Sequence, residues 1–195
     1  MIEGSGGIGH PFWRCASQSV TYQSPVFSGA QINVLYQTNE NKTSSAGTSV
    51  GASNASMWSS SITWAGMGGK ARIGLAIDRH TDFSSLDRSD TGWAIKGGYN
   101  FGMANVGLAI ERMTYDCGGR AILTNCGAAP ATGEVKAKQW AVAVSVPVAG
   151  GAVKGSYSKQ SALNGLTTDV ANGAKQWNLG YEHPLSERTG TAEKA

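Results

Sequence analysis

Two glycine-containing motifs and three histidines are the first places to look for catalytic or ligand-binding chemistry. Residues 4–9 match the dinucleotide-binding glycine pattern, which requires a strand before it and a helix after it, yet only three residues precede the motif and a proline follows soon after. Residues 47–51 match the nucleophile-elbow pattern but lie in a Ser- and Asn-rich segment with no buried strand ahead of them. His10, His80 and His183 lack metal-ligand spacing, and we interpret them as residues of the surface or of a water-filled interior. We therefore predict no catalytic residue, no metal site, no cofactor and no enzymatic activity.

Three cysteines offer redox chemistry. Cys117 and Cys126 flank a short polar stretch, and a local disulfide between them is expected in an oxidising compartment. The alternative is two free thiols, because connectivity cannot be proved from a sequence. Cys15 would be left over in either case.

Alternation of apolar and polar residues is the strongest structural signal in the sequence. In residues 140–148 a tryptophan and four valines alternate with Ala, Ser and Pro. The same two-residue period recurs in residues 71–79, 93–100, 106–111 and 177–182, and no segment shows a convincing helical period. The pattern predicts an all-β protein built from antiparallel strands.

The composition of the two strand faces favours a membrane β-barrel over a soluble sandwich. One face is large and apolar, and the other carries Gly, Ala, Ser, Asn and Gln with isolated charges. The solvent face of a sandwich is usually richer in Lys, Glu and Thr, whereas small and polar residues suit a water-filled lumen. Mean hydropathy is slightly negative, which barrel strands produce because their two faces average out. No run approaches the ~18 apolar residues of a membrane-spanning helix.

The parity of the alternation assigns side chains to the two faces. The polar face predicts these pore-lining residues: Gln31, Asn33, Arg72, Asp78, Lys96, Glu111, Lys154 and Glu182. The six charges divide evenly by sign, so they predict no ion preference, and the alternative for each is a merely solvated charge. The opposite parity predicts these lipid-facing residues: Ile73, Leu75, Val106, Leu108, Val142, Val144 and Leu179.

Loop lengths and aromatic residues predict how the barrel is oriented in the membrane. Long connections lie near residues 39–57, 80–90, 117–133 and 161–173, and short ones near residues 24–29, 66–69, 101–104, 147–151 and 183–188. Outer-membrane barrels have long extracellular loops and short periplasmic turns. Tryptophans that follow long loops and tyrosines that precede short turns are typical of two interfacial girdles, although strands also favour aromatic residues in general. They are Trp58, Trp93, Trp140 and Trp177, and Tyr22, Tyr99 and Tyr181.

Two segments resemble the general porins of β-proteobacteria. Residues 18–29 read Gln-Ser-Val-Thr-Tyr-Gln-Ser-Pro-Val-Phe-Ser-Gly and are similar to a strand of the form Asn-Ser-Val-x-Tyr-x-Ser-Pro that leads into Phe-Ser-Gly. Residues 177–189 read Trp-Asn-Leu-Gly-Tyr-Glu-His-Pro-Leu-Ser-Glu-Arg-Thr and resemble a late segment, Leu-Gly-Tyr-x-Tyr-Pro-Leu-Ser-Lys-Arg-Thr. The resemblance extends over most of residues 12–189 and is weakest at residues 115–133.

The resemblance implies a homotrimer of transmembrane β-barrels in the outer membrane of a Gram-negative cell, each barrel with about 16 strands. It implies passive diffusion of ions and small hydrophilic solutes through a water-filled channel. Residues 1–15 would correspond to the end of an inward-folded constriction loop, which makes Arg14 a further pore-lining candidate. Residues 18–189 would supply about nine strands and residues 190–195 a truncated stub, so residues 1–195 are expected to form one middle-to-late barrel segment.

Other functions stay open at this stage. A soluble all-β binding or adhesion module would have to hide the Trp and Val face inside a sandwich. A non-functional porin fragment would leave an open sheet whose unpaired edge groups are costly in lipid, with weak and irregular conductance as the expected result. The partners expected of a porin are outer-membrane lipid, ions and small solutes. A nucleic-acid partner is not expected, because the net charge is only +3 and the cations are scattered.

Overall fold

The computed structural model describes residues 18–38, 55–83, 87–118, 133–165, 173–186 and 189–194, with side chains described as far as residue 184. These residues form one antiparallel sheet in which every strand pairs with its neighbours in sequence. The strands are β1 (Ser19–Gln23), β2 (Ala30–Gln37), β3 (Ser56–Gly66), β4 (Ala71–Thr81), β5 (Ser89–Asn100), β6 (Asn105–Asp116), β7 (Glu134–Val148), β8 (Gly151–Gln160), β9 (Ala174–Ser186) and β10 (Thr189–Lys194). The all-β prediction is confirmed.

The sheet has ten strands, where about nine strands and a terminal stub were predicted. The short strand β10 occupies the segment expected to be a stub and pairs with β9, with an irregularity between Thr189 and Gly190. The outermost strands β1 and β10 do not pair with each other in the described part of the chain, so the sheet is open.

Short turns connect the strands at one end of the sheet. Ala149 and Gly150 join β7 to β8 with φ values of 50° and 77°, the left-handed backbone that two-residue hairpin turns use. The turn between β5 and β6 is stabilised by Asn100, whose side-chain oxygen accepts a hydrogen bond from the Gly102 N–H at 2.7 Å. A single 3-10 turn, Met67–Gly69, lies between β3 and β4. Within the described ranges, no helix has the length and apolarity that crossing a membrane requires.

The connection predicted as a long loop at residues 80–90 is shorter than expected. The strands β4 and β5 continue their pairing to Thr81 and Ser89, whose hydroxyl oxygens are 3.1 Å apart. The Asp82 N–H then donates to the Arg88 carbonyl oxygen at 3.0 Å and closes the connection. Polar residues here extend the ladder instead of ending it, because side-chain hydrogen bonds across the strands support the backbone pairing.

Candidate pore-lining face

Strand register places one set of small and polar residues on a common face of the sheet, which we call the polar face. Residues directly opposite each other in paired strands lie on the same face. One row passes from Gln31 through Thr63 and Gly74 to Lys96, and a second passes from Asn33 through Ser61. The complete second row is Asn33, Ser61, Ala76, Ala94, Glu111, Gln139 and Gln160.

A cavity of about 810 Å³ lies against the polar face near the short turns. Its lining includes Arg72 from β4, Ser156 from β8 and Asn178 from β9. The Asn178 side-chain amide donates a hydrogen bond to the Ser156 hydroxyl oxygen at 3.1 Å. Side chains that can hydrogen-bond water and solutes therefore form part of the cavity wall, and glycine, alanine and apolar groups form the rest.

The charged residues of the polar face have different partners: some form an ion pair, and others accept hydrogen bonds from neutral side chains. Lys154 and Glu182 form an ion pair beside the cavity, and about half of each side chain is exposed, which keeps the pair in contact with solvent. Glu111 accepts a hydrogen bond from the side chain of Gln139 on the neighbouring strand. Asp78 accepts one from Ser59, its direct cross-strand neighbour.

Two further cations, Arg72 and Lys96, are exposed on the polar face. The Lys96 chain lies across Gly74, where an added Cβ would be 2.8 Å from Lys96 Cε, so the glycine provides the space for the lysine. Among the residues that the structure describes, neither cation forms a salt bridge. They are the polar-face charges most available to a passing ion.

The polar face becomes apolar and buried towards the long loops, a change that differs from the uniformly polar lumen predicted from the sequence. Met113, Tyr115, Val135 and Ala137 continue the rows of the polar face and are at most 4% exposed. A second buried cluster contains Met57, Phe83 and Ala55, with the polar residues Gln37, His80 and Asp90 buried beside it. The histidines were predicted to lie on the surface or in a water-filled interior. His80 lies on the polar face, but it is buried there and is not in contact with solvent. The sequence contains one indication of this change. Tyr115 and Val135 are large residues at positions whose alternation places them on the same face as Glu111.

The opposite face, which we call the apolar face, exposes large side chains. Ile73, Leu75, Leu108, Val144 and Leu179 are between 39% and 51% exposed. Val106 and Val142 lie on the same face, opposite Val144 and Leu108, and are half-buried among these neighbours. Soluble monomers rarely expose an apolar patch of more than a few hundred Å². An apolar solvent is therefore the environment in which this face is stable.

A family model for Gram-negative porins matches residues 2–192 of the chain. The chain belongs to the Gram-negative porin family. This membership accounts for both faces, because porin strands place apolar residues towards lipid and polar residues towards a lumen. It identifies the chain as an outer-membrane β-barrel protein.

The porin chain is similar in fold to a solved structure, the anion-selective porin from Comamonas acidovorans, with a TM-score of 0.63. The two sequences are 23% identical, so this likeness concerns the fold alone. The match covers 90% of this chain and 46% of that porin, and the chain therefore spans about half the length of the porin it resembles. None of the curated proteins matches the chain.

Eight of the nine predicted pore-lining residues share the polar face. The ninth, Arg14, lies outside the described residues, as do Cys15 and Cys126 and the predicted constriction segment. Cys117 is disulfide-bonded, and its partner also lies outside the described residues, so the pairing with Cys126 stays a prediction. The described ranges contain no group of three or more His, Cys, Asp or Glu side chains that could hold a metal ion.

Proposed function

We propose that this chain forms part of a water-filled outer-membrane channel for the passive diffusion of ions and small hydrophilic solutes. The observation that carries the proposal is the contrast between the two faces of one sheet. Polar side chains, together with glycine and other small residues, line a cavity of about 810 Å³ on the polar face, while large apolar side chains are exposed on the other face. A lipid environment outside and water inside satisfies both faces at once.

The channel acts by electrostatics and size rather than by covalent chemistry. Exposed Arg72 and Lys96 set the local potential for a passing ion, and the Lys154–Glu182 pair adds a dipole beside the cavity. Hydroxyl and amide groups of Ser156 and Asn178 replace part of the hydration of a neutral solute. Further narrowing belongs to the segment at residues 1–15, if it folds inward as the porin resemblance implies.

The functional assembly is proposed to be a homotrimer of closed barrels. A sheet edge in lipid leaves backbone N–H and C=O groups without partners, so β1 and β10 must both be paired in the membrane. Closure therefore needs a partner for each of the two edges, and the solved porin to which this chain is similar is about twice as long.

Planar-bilayer recording of the protein purified from outer membranes in its native assembly tests this function. We expect stable conductance steps that increase in proportion to the salt concentration, because a wet pore conducts as a column of electrolyte. Steps grouped in threes, together with a cross-linked species of three chains, support the trimer. A protein that leaves the membrane in aqueous buffer without detergent, and that gives no conductance, would instead be a soluble binding module. Boiled protein serves as the control.

A further inference from the structure

Opposite charges lie at the two ends of the hydrated part of the polar face. Arg72 and Lys96, which we call the cationic end, are exposed and lie towards the short turns that begin β4 and end β5. Asp78 and Glu111, which we call the anionic end, lie towards the long loops, each within two residues of the buried part of this face. The hydrated part of the polar face is therefore itself a dipole.

The two ends do not pair with each other, although Lys96 and Glu111 are diagonal neighbours on β5 and β6. Diagonal neighbours are about 7–8 Å apart, which long side chains can bridge. The Lys96 chain instead extends over Gly74 on β4, and Glu111 accepts a hydrogen bond from Gln139 on β7. The two charged side chains therefore point away from each other and leave the surface between them open.

The hydrogen-bond partners of the anionic end are uncharged. Asp78 accepts a hydrogen bond from Ser59, and the partner of Glu111 is likewise a neutral amide. Within the part of the chain that the structure describes, no salt bridge involves either end, whereas Lys154 and Glu182 on the same face are ion-paired. Both ends therefore keep an uncompensated charge that a solute of opposite charge can approach.

Small residues form the surface between the two ends, which we call the alanine floor. Ala76 is directly opposite Ala94 on β4 and β5, and Ala109 is directly opposite Ala141 on β6 and β7. All four alanines are partly exposed, and Gly98 extends the floor towards the short turns, where it lines the cavity. A solute can therefore lie against the sheet while the longer charged side chains contact it at either end.

The spacing of the two ends limits the size of the solute that contacts both. The Lys96 chain lies over Gly74, and Asp78 is four residues further along the same strand, which is about 13 Å. A hydrogen bond at each end uses about 3 Å, so the charges of the solute itself are about 7 Å apart. An extended chain spans about 3.3–3.6 Å per residue, so two amino-acid residues match this distance and a single amino acid is too short.

We propose that the cationic end, the alanine floor and the anionic end together bind zwitterionic dipeptides. The peptide carboxylate accepts hydrogen bonds from Lys96 and Arg72, and the peptide ammonium group donates hydrogen bonds to Asp78 and Glu111. Each charge of the site then has a partner, which the free protein does not give it. The inference rests on the proposed function, since it takes the polar face to line a water-filled lumen, and it makes short peptides a preferred class among the small solutes.

Solute titrations in planar bilayers test the site in protein purified from outer membranes in its native assembly. Diglycine is added at pH 7, where it is zwitterionic, and the saturable fall of the potassium chloride conductance gives its affinity. The comparison solutes are glycine, N-acetyl-diglycine without the ammonium group, diglycine amide without the carboxylate, and 6-aminohexanoate, whose two charges are about as far apart as those of diglycine. Erythritol, an uncharged solute of similar size, gives the steric baseline.

We expect diglycine and 6-aminohexanoate to bind with similar affinity, because both match the spacing of the two ends. Each should bind at least about fivefold more tightly than glycine or either capped peptide, since those leave one charged end without a partner. Glycine or a capped peptide that binds as tightly as diglycine would overturn the proposal.

A variant of the anionic end combines Asp78→Asn with Glu111→Gln, which keeps the shape of both side chains. Its matched control combines Asp116→Asn with Glu134→Gln, two carboxylates opposite each other on β6 and β7 outside the polar face. The anionic-end variant should lose diglycine affinity by at least about fivefold and no longer distinguish diglycine from N-acetyl-diglycine, because the partner of the ammonium group is removed. It should still prefer diglycine to diglycine amide, and the control should keep its affinity within about twofold.

A variant of the cationic end combines Arg72→Gln with Lys96→Gln, and its control combines Arg112→Gln with Lys138→Gln, which are opposite each other on the apolar face. The pattern should reverse: this variant no longer distinguishes diglycine from diglycine amide but still prefers diglycine to N-acetyl-diglycine. A structural role of these residues would weaken all solutes alike. Equal losses in a site variant and its control, or the same loss of preference in both site variants, would overturn the assignment of the two ends.

The conductance in potassium chloride without added solute separates this inference from the proposed function. Normal conductance without a preference for diglycine would overturn the dipeptide site and leave the channel intact. Absence of conductance in the wild-type protein would remove the channel and the dipeptide site together. Normal conductance of the four variants also shows that each of them has folded and inserted.

Discussion

The two faces of β7 share one backbone and yet have opposite relations to solvent. On the apolar face Trp140, Val144 and Val148 are 40%, 39% and 45% exposed, whereas Val135 and Ala137 on the other face are 1% exposed. Burial therefore does not follow apolarity in this sheet as it does in a soluble core. The apolar face is thus matched to lipid, and the polar face divides into a hydrated part and a buried part.

The largest effect should come from a charge placed in the buried part of the polar face. Val135→Asp puts a carboxylate among Met113, Tyr115 and Ala137, where it cannot be hydrated. We expect the free energy of unfolding to fall by roughly 3–5 kcal/mol, the effect of an uncompensated buried charge. Ala143→Asp, at a solvent-exposed position of the same face, should have little effect. Urea unfolding in detergent micelles, followed by tryptophan fluorescence, measures the difference, and equal losses would show that the polar face is uniform.

A charge on the apolar face should have the next largest effect. Val144→Lys places an ammonium group on the apolar face of β7, midway between Trp140 and the end of the strand at Val148. We expect membrane insertion to become less favourable by about 2–4 kcal/mol, the depth-dependent range for lysine on a lipid-facing strand. Ala143→Lys, one residue away, points to the polar face and should be tolerated. Refolding into lipid vesicles compares the two variants, and equal tolerance would contradict the assignment of the faces.

The smallest effect concerns ion preference and leaves folding unchanged. Arg72→Glu with Lys96→Glu reverses the two exposed cations of the polar face. We expect the permeability ratio to shift towards cations by about twofold or more, because ions in a narrow wet pore respond to the charge on its wall. The reversal potential under a salt gradient reports this ratio. Arg112→Glu with Lys138→Glu is the matched control on the apolar face, and an equal shift there would remove Arg72 and Lys96 from the pore.

Much of the fold was predictable because strand alternation is a local property. The two-residue period of residues 140–148 assigned Val142 and Val144 to one face and Ala143 to the other, and register in the structure agrees. Strand ends were less predictable: the pairing of Thr81 with Ser89 depends on hydroxyl contacts across two strands. A polar sequence at residues 80–90 does not distinguish such a ladder from a loop.

The strand pairing agrees with the parity of the predicted site residues, and their role as pore-lining residues stays a prediction. Parity places Lys96 and Glu111 on one face, but the ion pair of Lys154 with Glu182 requires the register of β8 and β9. The placement of Trp93 beside Arg112 on the apolar face likewise requires the register of β5 and β6. Non-local register of this kind is not contained in any single segment of the sequence.

Spin labelling along β7 tests whether one face of the sheet is exposed to lipid and the other to water. A nitroxide is attached in turn at Val142→Cys, Ala143→Cys, Val144→Cys and Ser145→Cys. The background replaces Cys15, Cys117 and Cys126 by serine, and circular dichroism verifies that its strand content is retained. Collision with dissolved oxygen measures exposure to lipid, and collision with a water-soluble nickel chelate measures exposure to water.

We expect the two accessibilities to alternate with a period of two residues and in opposite phase. Labels at 142 and 144 should collide mainly with oxygen, and labels at 143 and 145 mainly with the nickel chelate, in protein reconstituted into lipid bilayers. Alternation in the reverse phase, or equal nickel accessibility at all four positions, would contradict the assignment of the two faces and with it the proposed channel.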